Sequence, residues 1–300
     1  MKQYFLFLAI LIICQGCNTH GSQKQTAQIF QPDIISVKDQ HDDYISLNPD
    51  ETFLTLTRFT DDYRNGTIYI SQKLNGEWQE ATVAPFSGNY NDSRSYISPD
   101  GKRIYYASNR PTKIRPNKKD LDIWYVELQN NEWSNPIHTG NIINSEVNET
   151  HPSISENGNL YFARWGRGTN NIYISKLENG VYQKPIIQPA ISTNYSESHP
   201  FIDPKEQYIL YGSARDSDGL DGEVYISVQK DGQWCKPEKL DIINSNLYDY
   251  SAKINYNRNK IYFSRTDFNK NGEPADIYRL DVNWDQVLQS YLENATFNDN

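Results

Sequence analysis

Apolar positions in this chain come in short runs broken by polar turns. Ile104-Tyr105-Tyr106-Ala107 follows Ser98-Pro99-Asp100-Gly101 and stops at Ser108-Asn109-Arg110. A strand ending at Ser98, an Asp-Gly turn and a second strand predict a tight hairpin whose two turn residues sit at positive φ. The unit recurs. Leu47, Ile97, Ile154, Ile202 and Ile254 each precede such a turn, at spacings of 50, 57, 48 and 52 residues. The second strands begin at Leu54, Ile104, Leu160, Ile209 and Ile261.

A polar loop leads each copy into a third strand marked by an aromatic: Ile68-Tyr69, Ile123-Trp124, Ile172-Tyr173, Val224-Tyr225 and Ile277-Tyr278. Four copies continue into a second hairpin, with Asn75-Gly76, Asn130-Asn131, Asn179-Gly180 or Asp231-Gly232 at its turn. Each copy is thus a four-stranded antiparallel sheet of about fifty residues, the period of a propeller blade. The fifth copy lacks a fourth strand after Leu280, whereas Ile29-Phe30-Gln31-Pro32 near the N-terminus echoes Ile186-Ile187-Gln188-Pro189. The expected architecture is an all-β, five-bladed β-propeller over residues 29–283, closed by the N-terminal strand. After it, Trp284, Val287, Leu288, Tyr291 and Leu292 follow helical spacing. Asn283 and Gln286 stand like a capping box, so 284–300 is expected to be a short helix and tail lying on the last blade.

The first residues have another pattern. Lys2 precedes an apolar Tyr4–Ile13 stretch too short for a usual membrane span. Cys14-Gln15-Gly16-Cys17 closes it, and residues 18–28 are a Gln-, Ser- and Thr-rich tether. This leader resembles a bacterial lipoprotein signal (1–16). The resemblance implies that Cys17 is lipidated, begins the tether (17–28) and anchors the chain in a cell envelope, outer-membrane or periplasm-facing. Cys235 is then the one remaining thiol, which rules out an intramolecular disulfide. The net charge of −9 argues against a nucleic-acid partner.

The Ser98-Pro99-Asp100-Gly101-Lys102 … Ser108-Asn109-Arg110 … Asp122-Ile123-Trp124 series resembles the WD40-like repeat of TolB-type β-propellers, over roughly residues 29–280. The resemblance implies the fold and leaves function open, since related propellers serve as interaction modules, peptidase caps and polysaccharide lyases. TolB itself carries a separate α/β domain before six blades, and no such domain precedes these repeats.

One column of acids and one of arginines recur in every copy: Asp42, Asp92, Glu149, Glu197 and Asp249 where the first strand begins, and Arg58, Arg110, Arg164, Arg215 and Arg265 near the end of the second. Antiparallel neighbours bring both columns to one mouth of the channel. Counting from the turns puts Asp92 opposite Asn109 and Asp249 opposite Thr266, each one position from its arginine. Three readings compete: a structural ion pair per blade, a polar funnel for a glycan or an envelope protein, and a catalytic carboxylate pair. Inverting glycosidases need acids about 6.5–9.5 Å apart with unequal pKa values. His151 and His199 share one column with Tyr44, Arg94 and Ser251 and read as structural or ligand-contacting rather than as a metal pair.

Asp267-Phe268-Asn269-Lys270-Asn271-Gly272 matches half of a calcium loop but has Tyr278 at the twelfth position. With Asp216, Asp218 and Asp221 it makes calcium a secondary expectation, no other cofactor being indicated. Lys113, Arg115, Lys118 and Lys119 form a basic loop suited to a solvated role or an anionic surface. Nucleophile elbows, metalloprotease helices, P-loops and dinucleotide fingerprints are absent. The expected function is a lipid-anchored, non-catalytic binding or scaffolding module; the alternative is a carbohydrate-active enzyme, hydrolase or lyase, using the mouth carboxylates.

Overall fold

The computed structural model describes residues 26–60, 63–166, 168–216, 222–267 and 274–297. Cys14, Gln15, Gly16 and Cys17, with Asp218, Asp221, Asn269 and Asn271, lie outside them. Five antiparallel sheets succeed one another along the chain as blades 1 to 5. Their inner strands are His41–Leu47, Asp92–Ile97, Glu149–Ile154, Glu197–Ile202 and Tyr248–Ile254. The second strands are Phe53–Phe59, Arg103–Ser108, Leu160–Gly166, Tyr208–Ser213 and Lys260–Thr266. Gln28–Ile29 pairs with Asp276–Asp281 as the outer strand of blade 5, Ile29 facing Tyr278. Phe30 then donates its N–H to the Ile277 carbonyl and buries its ring edge-on against Tyr262 and Trp78. The chain ends therefore meet in one sheet, which removes an open edge.

The two kinds of hairpin differ in backbone. Both central residues of each second-hairpin turn have positive φ (Asn75 54°, Gly76 86°), as the Asn-Gly pairs predict. In the first hairpins only the third turn residue does: Glu51, Gly101, Gly158, Glu206 and Arg258. Each donates its N–H three residues back, as Gly101 does to Ser98 at 2.8 Å. The turn is thus a longer loop ending in one left-handed residue, and Asp100 acts through its carboxylate, which accepts from Ser98 Oγ and Lys102 N. Three of the five left-handed residues are not glycine because their side chains bridge blades. Glu51 accepts from Asn255 and Asn257, Glu206 from Asn159, and Arg258 pairs with Asp203 at 3.2 Å.

Every inner strand carries a β-bulge, centred on Tyr44, Arg94, His151, His199 and Ser251, all with φ between 53° and 59°. The extra residue shifts the register by one. Asp92 therefore faces Ser108, not Asn109, and Asp249 faces Arg265, not Thr266.

The C-terminal helix, Trp284–Asn294, starts at Asn283, whose side chain accepts the Gln286 N–H. Trp284 and Leu288 are buried, so its apolar stripe belongs to the core. It lies on blade 4 rather than on the last blade. Trp284 packs on Tyr208 at 5.1 Å and Tyr291 donates to the Lys239 carbonyl. Blade 5's own outer position is filled by the N-terminal strand, and its turn holds the start of the helix through Arg258, which pairs with Asp285 and accepts the Trp284 N–H on its carbonyl. No helix among the described residues is long and apolar enough to cross a membrane.

Candidate functional site

The acids and arginines meet inside each blade. Arg58–Asp42, Arg110–Asp92, Arg164–Glu149 and Arg265–Asp249 stand 2.6–2.8 Å apart, and Arg215–Glu197 3.7 Å. All five acids have no exposed surface, while the arginine side chains keep 10–18%. In blades 1, 3 and 5 the arginine faces its acid directly. Arg110 and Arg215 start two residues further on and reach the same place by turning back, each donating Nε to the hydroxyl of Ser108 or Ser213.

Each pair also holds the segment that enters its blade. Glu149 accepts from Ser145 N and Oγ, Glu197 from Thr193 N and Oγ1, and Asp249 from Ser245 N and Oγ. Asp42 accepts from Val37 N. The outer guanidinium nitrogens of Arg110, Arg164, Arg215 and Arg265 bind the carbonyls of Phe86, Ile143, Ile191 and Ile243. Each arginine lies over the third-strand aromatic: Tyr69 at 4.4 Å, Trp124 at 5.5 Å, Tyr173 at 4.7 Å, Tyr225 at 4.6 Å and Tyr278 at 5.0 Å. Burial pushes all five carboxyls above their ordinary range, with the guanidinium and the entering segment pulling back. Glu149, Glu197 and Asp249, without exposed surface and each held by three or more donors, are latches. Asp42 is held by Val37 N and Arg58, and Asp92 by Arg110, its Oδ2 buried without a partner. Of the three readings, this geometry favours the ion pair per blade, since each carboxylate is paired with its own blade's arginine.

The bulge column fills the axis. Tyr44 stacks on His199 at 5.6 Å, and His151 meets His199 edge-on at 4.3 Å. Arg94 Nε donates to His151 Nε2 at 3.0 Å, which fixes the neutral tautomer with Nδ1–H toward Thr150 Oγ1. Tyr44 Oη bonds His199 Nε2 at 3.2 Å. Burial, with the charges of Arg94 and Lys253, holds His151 far below its ordinary range and His199 at about 3. These histidines are neutral packing groups at physiological pH. Beneath them Asp43 is buried and accepts from Tyr250 Oη at 2.6 Å; burial raises its carboxyl to about 7.

Of the six calcium candidates, Asp216 and Asp267 are among the described residues. Asp216 is taken by Tyr225 Oη at 2.5 Å and by Lys239. Among the described residues no three His, Cys, Asp or Glu side chains could hold a metal ion. In the basic loop, Arg115 and Lys118 are turned inward onto Asp120 and Asp122.

What the mouth face offers is therefore not its acids. The latched entries present Tyr90, Val147 and Tyr195, each two residues before its acid and 36–53% exposed. Ser and Thr hydroxyls of the latch fix two of them: Tyr195 N donates to Thr193 Oγ1 at 3.0 Å and Val147 N to Ser145 Oγ at 3.4 Å. Trp165, 45% exposed, stands beside Val147 through a bond from its N–H to Asn148. Between blades 1 and 2 the rim encloses a recess of about 570 Å³, lined by Gln40, Asn65, Asn89, Asn91, Tyr69 and Tyr90 among others. Its lining has no carboxylate among the described residues, and its one charge, Arg58, is already paired. Asn91 is spent on Gly66 N and the Arg64 carbonyl. These rim residues were invisible to column reading, although Ile142-Ile143-Asn144-Ser145 and Ile242-Ile243-Asn244-Ser245 repeat in plain sight.

Blades, closure and channel together define a five-bladed β-propeller. Solved structures similar to it share the propeller fold at low identity. A putative TolB from Agrobacterium tumefaciens is 14% identical over 81% of this chain and 78% of its own, with a TM-score of 0.53. A thermostable family-43 glycoside hydrolase is 12% identical over 81% and 88%, at 0.54. A glucose dehydrogenase is 11% identical over 86% and 99%, at 0.50. No protein-family model matches the chain, and no curated protein does. The fold is thus shared with proteins of quite different activities.

Proposed function

We propose that this propeller is a non-catalytic binding module that takes a neutral glycan on its mouth face. The observation that carries the reading is the recess between blades 1 and 2, where amides and tyrosine rings converge with no carboxylate among the described lining residues. Amide and hydroxyl groups exchange hydrogen bonds with sugar hydroxyls, and exposed rings such as Tyr90 offer flat apolar faces to sugar rings. A glycosidase would instead need two open carboxylates in unequal environments. The mouth acids are shut away and all shifted in the same direction. The leader supports display at an envelope membrane through a lipid on Cys17, and labelled fatty acid should enter the wild type and not Cys17→Ser.

Affinity electrophoresis through gels containing neutral or anionic polysaccharides tests the ligand class. Neutral polymers should retard the wild type, and Tyr90→Ala or Asn89→Ala should weaken retention about tenfold or more. Retardation by anionic polymers alone, or variants that bind like wild type, would argue for another ligand.

A further inference from the structure

The opposite face, where the first hairpins turn, carries a second cavity of about 410 Å³ among blades 2 to 5. Its walls include Tyr96, Phe201, Tyr208 and Tyr256. Tyr96, Phe201 and Tyr256 also line a narrower throat of about 20 Å³ that reaches Lys253. Such a throat holds about one water-sized group. Lys253 Nζ donates to the Ser95 carbonyl at 3.3 Å and lies 5.6 Å from the Tyr96 ring. No carboxylate pairs with it in the described structure, and no acid offsets its burial. His151 and His199 across the axis sense its charge and the Tyr96 ring lies against it, none of them an anion. At the cavity rim Arg258 is occupied by Asp203 and Asp285, leaving Lys205 and Glu156 as the other charges.

Lys253 is half-buried, and a partly desolvated ammonium without a counter-charge is costly; an anion brought to it recovers part of that cost. The apolar walls and the single-group throat define what the anion is attached to. We propose that this cavity binds a small organic carboxylate, its apolar body against Tyr96, Phe201 and Tyr256 and its carboxylate on Lys253 Nζ. The site is independent of the glycan recess, which lies on the other face. A neutral alcohol leaves the ammonium unpaired. Burial lowers the Lys253 ammonium to about 7. Carboxylate binding therefore takes up a proton above that pH, and affinity falls as pH rises.

Calorimetry with benzoate, benzyl alcohol and phenylphosphonate tests the site on the soluble chain. Benzoate should bind at least tenfold more tightly than either control at pH 6. Its affinity should fall about thirtyfold between pH 6 and 8.5, approaching one decade per pH unit above the free amine's midpoint. Lys253→Met should abolish the preference for benzoate over benzyl alcohol while melting no lower than wild type at pH 6. Tyr256→Ala, on the cavity wall, should weaken benzoate with the fold intact, which keeps the test open if Lys253→Met misfolds. No benzoate binding at 10 mM, a pH-independent affinity, or unchanged binding in Lys253→Met would overturn the proposal.

Discussion

Asp249→Asn measures what a latch is worth. The native carboxylate has no exposed surface and accepts from Arg265 Nε at 2.6 Å, Ser245 N at 2.8 Å and Ser245 Oγ at 2.6 Å. An asparagine keeps the shape, loses the charge and turns a donor toward either Ser245 or Arg265. Removing one partner of a buried pair costs about 3–5 kcal/mol. Arg265 keeps 15% of its side-chain surface, so water partly resolvates it and the low end, about 3 kcal/mol, applies. In a chain of this size that lowers the melting temperature by roughly 6–12 °C. Urea denaturation of wild type, Asp249→Asn, Arg265→Met and the double variant gives the coupling, expected at about 1.5–3 kcal/mol. The double variant should recover part of the loss because no unpaired charge remains. A single variant within about 0.5 kcal/mol of wild type that no longer binds its ligand would refute the latch and make Asp249 a binding residue.

Two further perturbations follow from buried groups. Asp43 has its carboxyl raised to about 7 against 3.8 in the unfolded chain. Between about pH 4 and 7 the folded state holds a proton that the unfolded chain has released, so this stabilisation is whole only below about pH 4, falls as pH rises and is gone above 7. Asp43→Asn, which can still accept from Tyr250 Oη, should raise stability at pH 8 by up to about 4 kcal/mol and do little at pH 4, as read by urea midpoints. Phe30→Ala should cost about 3–5 kcal/mol, since its ring is 3% exposed at the closure seam, against well under 1 kcal/mol for the 40% exposed Ile29. Equal effects at the two positions would mean that the N-terminal strand does not seal the ring.

The fold was legible because its signals are local and repeated five times. Asn75-Gly76 can make only one kind of turn, and the echo of Ile186-Ile187-Gln188-Pro189 at Ile29 pointed to the closing strand. The bulges were not legible: nothing in Tyr44, Arg94, His151, His199 or Ser251 shares a side-chain property, since what they share is a backbone angle. That hidden residue displaced the facing partners of Asp92 and Asp249 by one. The acid and arginine columns were visible, but burial decides between latch and site, and burial belongs to the assembled blade. Glu51 and Arg258 looked like turn punctuation and instead bridge blades. Lys253 carried no signal at all, because its setting is made by Tyr96, Phe201 and Tyr256 from three different blades.

The central claim is that the mouth acids hold the blades and do no chemistry. Product release from a panel of polysaccharides, read as new reducing ends and as unsaturated chain ends, tests it in wild type, Asp92→Asn and Glu149→Gln. The account predicts no turnover by any of the three and retained glycan binding wherever the variant stays folded. Turnover by the wild type that either substitution abolishes without unfolding the protein would contradict it.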